Sequence, residues 1–98
     1  MSNQSICLTV RFKVKAGMAE QFKHDLASLA AASRAEAGCI HFHPHQESEN
    51  EGSFLLYEQW ASQADLEKHD QMPHLAAFKE TFGERLSEPP SVAFWKAL

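Results

Sequence analysis

The run Tyr57-Glu58-Gln59-Trp60-Ala61-Ser62-Gln63-Ala64-Asp65-Leu66-Glu67-Lys68-His69, with Met72-Pro73-His74 just beyond it, decides the fold. It reads as a buried strand that ends in a tryptophan and turns at once into a capped helix. Ser62 and Asp65 make the capping pair, since a serine hydroxyl can accept from the backbone N–H three residues on. Pro73 suits the first turn of a renewed helix, where its missing N–H has no partner to lose. The corner gathers Glu58, Trp60, His69 and His74, an acid, an indole and two imidazoles. It is the first place to look for function.

Working outward, Ile6, Leu8, Val10, Phe12 and Val14 alternate with Cys7, Thr9, Arg11 and Lys13. A period of two makes this a strand with one face on a core. Arg11, Lys13 and Lys15 alternate as edge charges do. Met18, Phe22, Leu26 and Leu29 then form a helical stripe, and Gly38 is a suitable left-handed stop. Cys39 to Gln46 is a second strand, with Ile40 and Phe42 on one face and His41, His43 and His45 on the other. Glu47 to Ser53 is a polar connection. Phe54 to Trp60 is a third strand, apolar on both faces for much of its length and so expected to be central or covered on both sides. Leu75, Phe78 and Phe82 continue the second helix as an apolar stripe. Glu88-Pro89-Pro90 is an extended linker, and Val92 to Ala97 is the last strand.

The resulting order, β-α-β-β-α-β, predicts a single α+β domain over 1–98 with the ferredoxin-like arrangement. Four antiparallel strands carry helices on one face. The other face has no helix left to cover it, so a second copy packing sheet on sheet is expected.

Composition narrows the function. Nine Lys and Arg against thirteen Asp and Glu give a net charge of −4. No basic cluster could neutralise a row of phosphates, so no nucleic-acid partner is expected. The start, Met1 to Ser5, has no charged-then-apolar pattern, and no run suffices to span a bilayer, so a cytoplasmic protein without a membrane role is expected. Cys7 and Cys39 lack metal spacing and read as free thiols. Dinucleotide, P-loop, C-x-x-C and H-E-x-x-H signatures are missing.

Alternation puts Phe54, Leu56, Glu58 and Trp60 on one face, toward the helices. Glu58 is then a carboxylate under a helical layer, able to orient a ligand or to lock a helix end. His69, near the apolar side of its helix, is either a core histidine or a base suited to neutral pH. Trp60 and Phe42 read as core or as pocket walls. His41, His43 and His45 could chelate a metal, but nothing completes the set. A polar patch at a subunit edge fits better.

Glu36-Ala37-Gly38-Cys39, Phe42, Glu58-Gln59-Trp60-Ala61-Ser62, Leu66-Glu67-Lys68-His69, Pro73-His74 and Phe78 together resemble the antibiotic biosynthesis monooxygenase family, and within it the small bacterial quinol monooxygenases. The resemblance runs from Ile6 to Trp95. It implies a dimeric α/β barrel with a pocket between sheet and helices in each protomer. It also implies oxidation of a small hydroxylated aromatic or quinol by O₂, without flavin, metal, haem or other cofactor. His69 and Glu58 would be catalytic, and Trp60, Phe42, His74 and Phe78 would bind substrate. Haem-degrading relatives carry an asparagine where Val10 stands and a late helical histidine, absent from Ala76-Ala77-Phe78-Lys79-Glu80-Thr81. Haem degradation is therefore not expected. The family also holds non-oxidative isomerases of small signalling metabolites, and a non-catalytic ligand-binding dimer is a third possibility.

Overall fold

Alternation of side chains sets the sheet, and burial shows which face meets the helices. The computed structural model describes residues 4–98; Met1, Ser2 and Asn3 of the polar start lie outside the described residues. Strands β1 (Ile6–Lys13), β2 (Cys39–Glu47), β3 (Asn50–Trp60) and β4 (Ser91–Trp95) pair in the order β2-β3-β1-β4. All pairings are antiparallel. Helix α1 (Ala19–Arg34) links β1 to β2, and α2 (Gln63–Asp70), α3 (Pro73–Glu80) and α4 (Phe82–Arg85) link β3 to β4.

Leu8, Val10 and Phe12 of β1 and Phe54, Leu56, Glu58 and Trp60 of β3 are buried together under the helices, as alternation predicts. Phe22, Leu26 and Leu29 of α1 pack down on them. Residues of the opposite sheet face, such as Arg11, Lys13, His41, His43 and Trp95, are exposed. This is the ferredoxin-like α+β fold, with a four-stranded antiparallel sheet and its helices on one side.

Several details depart from expectation. β1 is an interior strand, paired with both β3 and β4. Arg11 and Lys13 are exposed because they lie on the uncovered face, not because they lie at an edge. β3 starts at Asn50 rather than Phe54, so only Ser48 and Glu49 remain between the paired strands. Ladder hydrogen bonds come from the backbone, and polar side chains do not prevent them. A register shift between Cys39 and His41 leaves Ile40 as an extra residue, 47% exposed, while Phe42 is fully buried. Such a bulge breaks the period of two, so Ile40 and Phe42 do not share a face.

Gly38 is not a left-handed cap; Gly17 is the glycine with positive φ. α1 already ends at Arg34, and Gly38 serves a different need. A Cβ there would overlap the side chain of Asp65 in the first turn of α2. Glycine thus lets α2 begin against the turn that joins α1 to β2. The second helical stretch breaks into three: Met72 before Pro73 is extended (ψ 142°) and separates α2 from α3, and Thr81 separates α3 from α4. β4 stops at Trp95, short of Ala97.

Candidate active site

The two β3 residues that face the helices at its end are Glu58 and Trp60. Glu58 lies opposite Leu8 on β1 and Phe42 on β2, in the middle of the sheet. Trp60 Nε1 donates to Glu58 Oε1 at 2.9 Å, and both side chains are buried. Burial pushes the Glu58 carboxyl above its ordinary value; the Trp60 hydrogen bond and the His69 imidazole oppose that shift.

Ser62 starts α2 as expected. Its hydroxyl accepts from the Asp65 N–H at 3.2 Å and donates to the Asp65 carboxylate at 2.9 Å. From that cap the helix carries His69 about two turns along, onto its buried side. The imidazole, 2% exposed, stacks on Trp60 with centroids 4.5 Å apart, and Phe42 approaches its other surroundings at 5.7 Å. His69 Nε2 comes within 4.0 Å of Glu58 Oε1. The strand end and α2 therefore bring this acid and imidazole together, as the corner suggested.

A third group completes the arrangement. Glu36 sits in the turn between α1 and β2, where its N–H donates to Ser33 O and its carbonyl accepts from the Cys39 N–H. Its Oε2 lies 2.7 Å from His69 Nδ1 and 2.7 Å from His74 Nε2. Nearby, Arg34 donates to Phe42 O through Nε and Nη2, which fastens the end of α1 to β2. The Cys39 thiol beside this turn is pushed up by burial and then by Glu36 and Glu58, which disfavours its thiolate. Neither Cys39 nor Cys7 is in a disulfide.

A cavity of about 280 Å³ opens between the sheet and the helices. Its wall includes Phe42, Phe78, Leu8 and Val10, with Glu58 and His69 as polar groups at the wall and Asp70 and Lys79 also present. Four of the six residues singled out by sequence thus line one space: Glu58, His69, Phe42 and Phe78. Trp60 and His74 do not. Trp60 is fully buried behind His69 with its N–H already taken by Glu58. His74, at the start of α3, faces a separate surface depression with Asp25 and Ser28. Trp60 instead bonds Glu58 and His74 lies against Glu36, so each adjoins the groups around the cavity without lining it.

Glu36 escaped the sequence reading as a site residue. It appeared only within the Glu36-Ala37-Gly38-Cys39 run. The pointer was Gly38, two residues on, since a glycine that is not a cap marks close approach by another element, here Asp65 of α2. Glu36, His69 and His74 each offer a ligand atom within 4.8 Å of the others, the spacing one cation could bridge. In the observed geometry a cation would have to displace both hydrogen bonds to Glu36 Oε2. The exposed His41 and His43, with ring nitrogens 3.3 Å apart, lie on the other sheet face and have no part in the cavity.

The profile of the family described as "Antibiotic biosynthesis monooxygenase" matches residues 5–81, most of the chain. The chain belongs to the antibiotic biosynthesis monooxygenase family. Within reach of this family, it is 31% identical over 87 residues to "Putative monooxygenase YcnE" of Bacillus subtilis, covering 89% of this chain and 92% of that protein. It is 28% identical to "Uncharacterized protein sll1783" of Synechocystis, matching 97% of this chain; the chain spans 65% of that relative's length. Among solved structures, PA3566 of Pseudomonas aeruginosa superposes with a TM-score of 0.93 at 28% identity, covering 100% of this chain and 99% of that one. No helix of the described residues is long and apolar enough to cross a membrane.

Glu58 also gives this antibiotic biosynthesis monooxygenase family member a pH signature. Its folded-state value lies above the ordinary carboxylate value, so the folded state holds that proton more tightly. The stability it contributes is present below the ordinary value and is lost as pH rises through the folded one. Glu58→Gln keeps an acceptor for the Trp60 N–H and removes the titration. Melting temperatures followed from about pH 4 to about pH 8 should therefore rise for the variant relative to wild type as pH increases. Parallel curves would show that Glu58 is not held under desolvation.

Proposed function

We propose that this protein is a cofactor-independent monooxygenase of a small hydroxylated aromatic or quinol, using O₂. One observation carries the reading: a largely apolar cavity of about 280 Å³ has an imidazole and a carboxylate, 4.0 Å apart, at its wall. Such a space suits a flat, mostly apolar ring bearing few hydroxyls. A small polar metabolite, the substrate of an isomerase, would leave much of that wall without useful contacts.

In this reading His69 Nε2 takes the hydroxyl proton, and Glu58 orients the ring oxygen or the imidazole. The resulting oxyanion is electron-rich and passes one electron to O₂. The radical pair joins, forming a C–O bond to the ring. Loss of the ring C–H proton and cleavage of the O–O bond then leave one oxygen atom on carbon and release the other as water. A quinol and O₂ thus give a hydroxyquinone and H₂O, and the substrate supplies every electron. Phe42 and Phe78 hold the ring and exclude water.

Membership of the antibiotic biosynthesis monooxygenase family supports monooxygenation in general. Oxygen-electrode turnover of a panel of quinols, with chelator and added flavin as controls, tests the finer reading. Uptake that needs a quinol and is unmoved by either control is expected. Uptake abolished by chelator, or none with any quinol, would set the reading aside.

The same reading takes the protein as one cytoplasmic domain acting as a homodimer. Trp95 is 58% exposed on the sheet face without helices, which also carries half-buried Leu55 and Tyr57. Sheet-on-sheet packing of two copies would cover them. Sedimentation equilibrium at micromolar concentration should give about twice 11.0 kDa. A mass of one chain would contradict it.

A further inference from the structure

We infer that Glu36 is the positioning residue of this site: it holds His69 in the Nδ1–H tautomer and so presents an unprotonated Nε2 to the cavity. The inference rests on the reading of His69 as the base. A neutral imidazole carries its proton on one nitrogen, and the hydrogen bond made by one nitrogen decides the role of the other. An unconstrained imidazole favours the Nε2–H form, which has no lone pair where the substrate proton would arrive. The base therefore needs a partner that holds the proton on Nδ1.

Glu36 meets that need. Its Oε2 is 2.7 Å from His69 Nδ1, the short separation of a charge-assisted hydrogen bond. The same oxygen is 2.7 Å from His74 Nε2, which accounts for a second donor. A carboxylate oxygen that accepts from two N–H groups has no proton to return to either ring. His69 Nε2, on the far side of the ring, meets Glu58 Oε1 only at 4.0 Å, too far for a hydrogen bond. That nitrogen is thus left for a ligand.

The carboxylate is itself fixed. The turn holds both backbone groups of Glu36, through Ser33 O and the Cys39 N–H. His74, on the separate helix α3, clamps the carboxylate oxygen from the outside. The Glu36 side chain is 10% exposed and does not line the cavity, so it acts through His69 and not on substrate. When Nε2 takes the substrate proton, the imidazolium stands against this carboxylate, which stabilises the charge without a further proton transfer.

The test reads the tautomer directly and needs no substrate. Nitrogen-15 NMR of the His69 ring, at a pH where the ring is neutral, should show Nδ1–H and a bare Nε2 in wild type. Glu36→Ala should shift the ring toward Nε2–H. Glu36→Gln keeps a carbonyl acceptor and should retain much of the Nδ1–H form. With a turned-over quinol, kcat of Glu36→Ala should fall by about 10²-fold or more with KM little changed, and Glu36→Gln should recover part of it. If Glu36→Ala does not fold, the wild-type and Glu36→Gln spectra carry the test. A wild-type Nε2–H ring, an Nδ1–H ring surviving in Glu36→Ala, or wild-type kcat in that variant would overturn the inference. His69→Ala separates the two readings. Turnover lost there but kept in Glu36→Ala sinks only the positioning role, whereas turnover kept in His69→Ala sinks the base itself.

Discussion

Replacing His69 by Ala should lower turnover by roughly 10²–10⁴-fold, the range that a positioned general base supplies. The effect should fall on kcat, because the ring walls that hold substrate, Phe42 and Phe78, are untouched. His69 is also 2% exposed, stacks on Trp60 and bonds Glu36, so the change removes packing as well as chemistry. A large-to-small change in a core costs about 2–5 kcal/mol. The whole stability of a chain this size is roughly 5–15 kcal/mol. The variant should therefore fold with a lowered melting temperature. His69→Gln fills more of the space and can still bond Glu36, but it offers no base. It should melt closer to wild type and turn over as slowly as His69→Ala. Normal turnover in a folded His69→Gln would remove the imidazole from the mechanism.

Phe22→Ala should be the most destabilising single change at the core. Phe22 is fully buried on α1, with ring centroids 5.1 Å from Phe12, 5.1 Å from Phe54 and 5.6 Å from Phe78. It joins the helix to β1, β3 and α3 at once. Truncation of such a ring costs about 3–5 kcal/mol, through lost burial and the cavity left behind. Edge-to-face pairs add to the loss. At fixed protein concentration the melting temperature should fall by at least about 12 °C. Urea titration should show a lower midpoint with an unchanged slope. A shift of a few degrees would mean that this aromatic cluster is not the centre of the core. Because Phe78 also lines the cavity, the same loss should loosen substrate binding.

What could be read in advance was set by local rules. The alternation in β1 and β3 put Leu8, Val10, Glu58 and Trp60 on the buried face, and the structure agrees. Ser62 and Asp65 marked the start of α2, and Pro73 marked the break before α3. What could not be read depends on hydrogen-bond register or on distant packing. Counting residues assigns Ile40 to the face of Phe42, but the bulge at Cys39 and His41 shifts the count by one. Charged alternation made β1 resemble an edge, yet any interior strand shows it when one sheet face is uncovered. Glu36 meets His69 and His74 across 33 and 38 residues of chain, a juxtaposition that no local pattern encodes. Trp60 could be read as core or as pocket wall; its N–H finds its partner in Glu58, two residues away on the same strand face.

The fate of oxygen tests the proposed activity most directly. Turnover of a quinol under ¹⁸O₂, followed by mass spectrometry of product and water, separates oxygenation from every other reading. The proposal predicts one ¹⁸O atom in the product, one in water, and one O₂ consumed for each quinol. Label entering the product from H₂¹⁸O instead, or a rearranged product formed with no O₂ consumed, would contradict it.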